Sequence, residues 1–156
     1  MIKYISITAL LLINFLLLAT SSFASATDST ISIESQYSAK ETADRLVSII
    51  KNKGLTLFAR INHQKNAEGV DLKLRATEVI IFGNPKIGTP LMQCSQEAAI
   101  DLPQKVLIRK GANNKTWISY NNPEYIRNRH SIQGCEKVIN TISKVLGALS
   151  KAAASK

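Results

Sequence analysis

Cys94 and Cys135 are the only cysteines of the chain, and His63 and His130 are its only histidines. Thiolate and imidazole together suit copper or zinc, whereas two thiols in an oxidising compartment suit a disulfide. The residues alone leave three arrangements open. A Cys94–Cys135 disulfide would close a loop of about forty residues and stabilise by roughly 4 kcal/mol in the chain-entropy picture. Two separate buried thiols would also fit, because both cysteines sit among apolar neighbours. A metal or redox site would draw on either cysteine with His63 or His130, although no CxxC, HxxxH or CxxCH spacing occurs. No cofactor is expected, with a metal as the one alternative left open.

The stretch Phe82-Gly83-Asn84-Pro85-Lys86-Ile87-Gly88 is a second candidate. Its turns could offer backbone N–H groups, and Lys86 an ammonium, to an anion. The same residues also read as a plain structural turn. The GxxxxGK[ST] and GxGxxG spacings of nucleotide sites are missing. Met92 and Phe82 supply an apolar wall nearby, Tyr120 a phenol, and His130 a ring nitrogen. Together Phe82, Gly83, Asn84, Lys86, Gly88, Met92, Tyr120 and His130 frame the expected ligand site. No Gly-x-Ser-x-Gly elbow or paired carboxylates are present, so no catalytic set is expected.

Positioning these residues falls to a recognisable series of elements. Thr30 to Ser35 alternates polar and apolar residues, as a half-buried strand does. Ser38 and Glu41 form a capping box, and Ala43, Leu46, Val47 and Ile50 make a helical stripe that ends at Gly54. Leu55 to Ile61 reads as a strand with Leu55, Leu57, Ala59 and Ile61 on one face. Asn62 to Gly69 reads as a loop or single helical turn, and Thr77 to Phe82 as a central strand, apolar on both faces. Between Pro85 and Ala99, Gly88 and Pro90 predict an irregular segment that becomes helical only after Thr89. Two further strands, Lys105–Ile108 and Trp117–Tyr120, flank the hairpin loop Gly111–Asn114. Asn122-Pro123 opens a short helix, Cys135 to Leu149 a closing one, and residues 151–156 are expected to fray. The order predicts an α+β domain over residues 27–150, with a curved antiparallel or mixed sheet of about five strands and helices on one face.

Residues 1–26 read as a cleaved signal peptide: Lys3, the apolar run Ile5 to Ala19, then Ala24-Ser25-Ala26. The expected location is periplasmic or secreted, with no stable membrane insertion after cleavage. The chain of 156 residues carries a formal charge of +9. Its bases are scattered and do not interleave with aromatics, so no nucleic-acid partner is expected. A small ligand or an envelope protein, and a homo-oligomer, are the partners considered.

Several motifs in order resemble the domain of unknown function 302 family. They are Glu34-Ser35 with Tyr37-Ser38, Gly54-Leu55-Thr56-Leu57-Phe58, Ile81-Phe82-Gly83-Asn84-Pro85, Gly88-Thr89-Pro90-Leu91-Met92, Asp101-Leu102-Pro103, and Ser119-Tyr120-Asn121 with Pro123 and His130. The resemblance runs from about Ile33 to Leu149. It implies a fold similar to that of the TATA-box-binding protein, without implying DNA binding. Asn122 stands where members of the family often carry an acid. The leading reading is a non-enzymatic module that binds a small ligand or a protein. The alternative is a redox or metal protein.

Overall fold

The computed structural model describes residues 29–156, so the signal-peptide reading of residues 1–26 lies outside the described residues. Five strands form one antiparallel sheet: β1 (Thr30–Ser35), β2 (Thr56–Asn62), β3 (Thr77–Gly83), β4 (Gln104–Lys110) and β5 (Thr116–Asn121). Their order across the sheet is β1-β5-β4-β3-β2. The α+β expectation holds, and β3 lies inside the sheet, bonded on both sides.

Helix α1 (Ala39–Asn52) starts where the sequence places it, with Ser38 Oγ accepting from Glu41 N at 3.2 Å. It ends at Lys53, and Gly54 follows at φ +66°, a left-handed conformation that side-chain-bearing residues rarely adopt. The polar stretch after β2 forms the short helix α2 (His63–Glu68). A short α4 (Pro123–Arg129) follows β5, capped by Asn122 Oδ1 on Glu124 N at 3.0 Å.

The closing helix α5 (Glu136–Ala154) overruns its predicted end. Residues 151–154 do not fray: Ala153 and Ala154 are buried, and α1 holds the last carbonyls. Arg45 donates to the oxygens of Ala153 (3.1 Å), Ala152 (3.0 Å) and Ser155 (2.7 Å), while Gln36 N donates to Ala154 O at 2.8 Å. These bonds satisfy carbonyls that every helix end leaves open.

Helices α1 and α5 pack against each other on the face of the sheet that carries Ile80, Phe82, Val106, Ile108, Ile118 and Tyr120. Leu46 and Ile50 from α1, and Ile139, Leu146 and Leu149 from α5, complete this core. Strand β2 departs from simple alternation. A register shift between Leu57 and Ala59 puts Leu57 opposite Phe82 but Ala59 opposite Ile81. Paired residues share a face, so Leu57 turns to the core and Ala59 and Ile61 to the other side, correcting the single face expected for all four. The shift also turns Arg60 towards the helices. There it bonds Glu78, itself 7% exposed, and reaches Asp44 of α1 at 2.6 Å. Bonds from Lys40 and then Arg60 hold the Asp44 carboxyl below its usual range.

Gly147 lies inside α5, and a methyl there would meet the Tyr120 hydroxyl at 3.8 Å, an ordinary contact. Gly147→Ala is expected to stabilise the domain by about 0.5–1 kcal/mol through helix propensity. A chemical-denaturation midpoint checks it; a lower midpoint would show that packing beside Tyr120 needs the space a methyl would fill.

Candidate functional site

Asn84 organises the segment that the sequence marked. Its side chain accepts from Lys86 N at 2.9 Å, and its carbonyl accepts from Ile87 N and Gly88 N, each at 2.9 Å. Asn84 is therefore a helix cap, with Pro85 at the first helical position. Helix α3 (Pro85–Cys94) begins here and not after Thr89. Pro90 lies inside it and forfeits the single bond to the fourth residue before it. Three of the backbone N–H groups expected to receive an anion, those of Lys86, Ile87 and Gly88, are thus occupied by Asn84 itself. Lys86 is exposed.

A 3-10 helix, Gln96–Asp101, follows, and a cis Leu102–Pro103 peptide leads into β4. Cys94, the last residue of α3, is joined by a disulfide to Cys135, which precedes α5; their Cα atoms are 6.5 Å apart. Of the three sulfur arrangements the structure takes the disulfide, which leaves no thiolate for a metal.

Between α3, the end of the sheet and α5 lies a cavity of about 280 Å³. Phe82, Gly83 and Gln104 close it from the strands, and Ile87, Gly88 and Met92 from α3. Ile142, Val145 and Leu146 present one face of α5 to it. Phe58, pushed out by the shift in β2 and 54% exposed, stands at its edge with Leu102 and Pro103. No charged side chain lines it; Asn84, Thr89 and Gln104 are the polar ones.

Five of the eight expected ligand residues, Phe82, Gly83, Asn84, Gly88 and Met92, meet at this cavity. Lys86, Tyr120 and His130 do not line it. Tyr120 is a core residue on β5, 6% exposed. His130 caps the end of α4, with Nε2 2.6 Å from Asp101 Oδ2, and Arg129 Nη1 donates to Asp101 Oδ1 at 3.2 Å. This cluster ties the 3-10 helix to the α4–α5 connection, beside the disulfide in sequence. His63 is exposed on α2, on a different element from His130. Among the described residues no group of three or more His, Cys, Asp or Glu side chains could hold a metal ion. The α5 wall was missed as a site because its Ile142, Val145, Leu146 stripe reads equally as core.

Burial raises the Tyr120 phenol above its ordinary value near 10. The folded state therefore favours the neutral phenol. Its contribution to stability is complete below about pH 10 and is lost as pH rises through the folded value. Tyr120→Phe is expected to flatten the alkaline fall in the denaturation midpoint; an unchanged slope would assign that fall to other groups.

An open five-stranded antiparallel sheet, with its long helices on one face and an uncharged cavity at one end, defines an α+β domain. The family described as Domain of unknown function DUF302 matches residues 31–149, and the chain belongs to it. The crystal structure of the uncharacterized conserved protein DUF302 from Bacillus stearothermophilus shares the fold, with a TM-score of 0.74 and 16% identity over 81% of this chain and 99% of that one. Similarity in sequence extends to the fluoride-specific ion channel FluC 1 of Brucella suis biovar 1, 37% identical over 102 residues, or 65% of this chain and 40% of that protein. FluC 2 of Brucella melitensis biotype 1 is likewise 37% identical over 102 residues, covering 38% of its length. The chain thus spans about 40% of the length of the curated relatives it matches.

Proposed function

We propose that this chain is a non-enzymatic binding domain of the cell envelope, periplasmic or secreted, that holds a small ligand between α3 and α5. The observation that carries the reading is the 280 Å³ cavity, whose lining has no charged group and no nucleophile beyond one threonine hydroxyl. A concave, mostly apolar site with a few polar groups is the usual form of a small-molecule site. Location rests on the leader-like sequence of residues 1–26. Native mass spectrometry of the protein purified from its own envelope is the test. An added mass released on denaturation is expected, whereas an apo protein that also picks up no compound in a fragment screen would sink the reading.

A second reading is favoured by the likeness to channel-named proteins: the domain works beside an ion channel of the envelope. The cavity itself is ill suited to fluoride, because a strongly hydrated anion needs donors or cations in place of water and this lining is largely aliphatic. Any such role would be that of a partner domain. Fluoride tolerance of the source organism with and without this gene tests it, and equal tolerance would remove it.

A further inference from the structure

We infer that the ligand is an uncharged amphiphile: an apolar body of about two fused rings, or an aliphatic chain of similar bulk, bearing one neutral hydrogen-bonding end. The inference rests on the binding role proposed above and specifies the chemistry of the same cavity. Size comes first. A dry cavity of about 150 Å³ admits benzene, so one of 280 Å³ admits a body of nearly twice that bulk.

Polarity comes next. Ile87, Met92, Ile142, Val145 and Leu146 give the interior no means of compensating a charge, and burying an ion unpaired is far costlier than burying a hydroxyl. Yet the lining is not wholly apolar. The half-buried Gln104 amide has no hydrogen-bond partner among the described residues, and the exposed Thr89 adds a hydroxyl to the lining. Asn84 commits its side-chain oxygen to Lys86 N, which leaves its amide nitrogen uncommitted. Gln104 and Asn84 can donate, and Gln104 and Thr89 can accept, so a single alcohol, ketone or amide group finds a partner here. A carboxylate or ammonium would have no counter-ion in the lining.

Gly88 keeps the space open. A methyl at this helical position would find its nearest neighbour, Leu102 Cδ1, at an unstrained 3.8 Å. A larger side chain there would therefore fill the cavity before it disturbed the backbone.

Calorimetric titration of the purified protein with 2-naphthol, naphthalene and 2-naphthoate separates the possibilities, because the three share one ring system. The expected order is 2-naphthol tightest, naphthalene several-fold weaker and 2-naphthoate at least tenfold weaker. Gln104→Leu is expected to erase the advantage of naphthol over naphthalene. Gly88→Val, or Val145→Phe if the first lowers the melting temperature, is expected to abolish binding. Naphthoate equal to or tighter than naphthol would overturn the neutral-ligand inference while leaving the site intact. Binding that survives both filling substitutions would place the ligand elsewhere and overturn it as well. If none of the three compounds binds at its solubility limit, the small-ligand reading itself falls.

Discussion

Replacing Cys94 and Cys135 together by alanine, or reducing their disulfide, is expected to lower stability by about 4 kcal/mol, the entropy of closing a loop of roughly forty residues. For a domain of this size that corresponds to a fall in melting temperature of about 15 °C. The bond joins the end of α3 to the residue before α5, the two helices that wall the cavity. Binding of 2-naphthol is therefore expected to weaken along with stability, by more than the loss of folded protein accounts for. Urea midpoints with and without reductant, and the titration repeated well below the reduced midpoint, check both parts. A stability change under about 1 kcal/mol would show that Asp101, with His130 and Arg129, holds the two segments together without covalent help.

Phe82→Ala is expected to cost about 3–5 kcal/mol, the range for truncating a fully buried phenylalanine. Phe82 is 2% exposed, faces the helices from β3, and forms the floor of the cavity. Truncation removes its own contacts and also enlarges an existing void, so neighbours have little reason to collapse inwards. Added 2-naphthol is expected to recover part of the loss by mass action on the folded state. A loss under about 1.5 kcal/mol would mean that α3 or Phe58 closes over the vacated space.

Much of the fold was legible because its signals are local. Ser38 before Glu41, Gly54 after the stripe, Asn122 before Pro123 and the Gly111–Asn114 hairpin each act on backbone groups a few residues away. What escaped was set by distant partners. The continuation of α5 to Ala154 depends on Arg45, 108 residues from the Ala153 carbonyl it holds. The turned face of β2 depends on a register shift against β3. At the cavity, Phe82, Gly83, Asn84, Gly88 and Met92 were legible as a group because turn and apolar residues lie close together in sequence, whereas Lys86 in the same stretch is exposed and outside the lining. Tyr120 and His130 could not be placed, since nothing local says whether a phenol points into a cavity or a core. Pro90 misled for a related reason: a helix already fixed by Asn84 and Pro85 tolerates one lost bond, which local preference does not anticipate.

The order β1-β5-β4-β3-β2 puts the earliest strand beside the last one. Ser32 and Ser119, whose hydroxyls meet at 2.8 Å, are 87 residues apart. On a chain emerging from its N-terminal end, β1 has no partner until β5 (Thr116–Asn121) has been made. Loop closure over such a span is slow relative to hairpin formation, so β2–β3 and β4–β5 are set to form first and β1 to dock last. The sheet is consequently finished late, and until then the β5 edge that β1 will cover stays open to strands of other molecules.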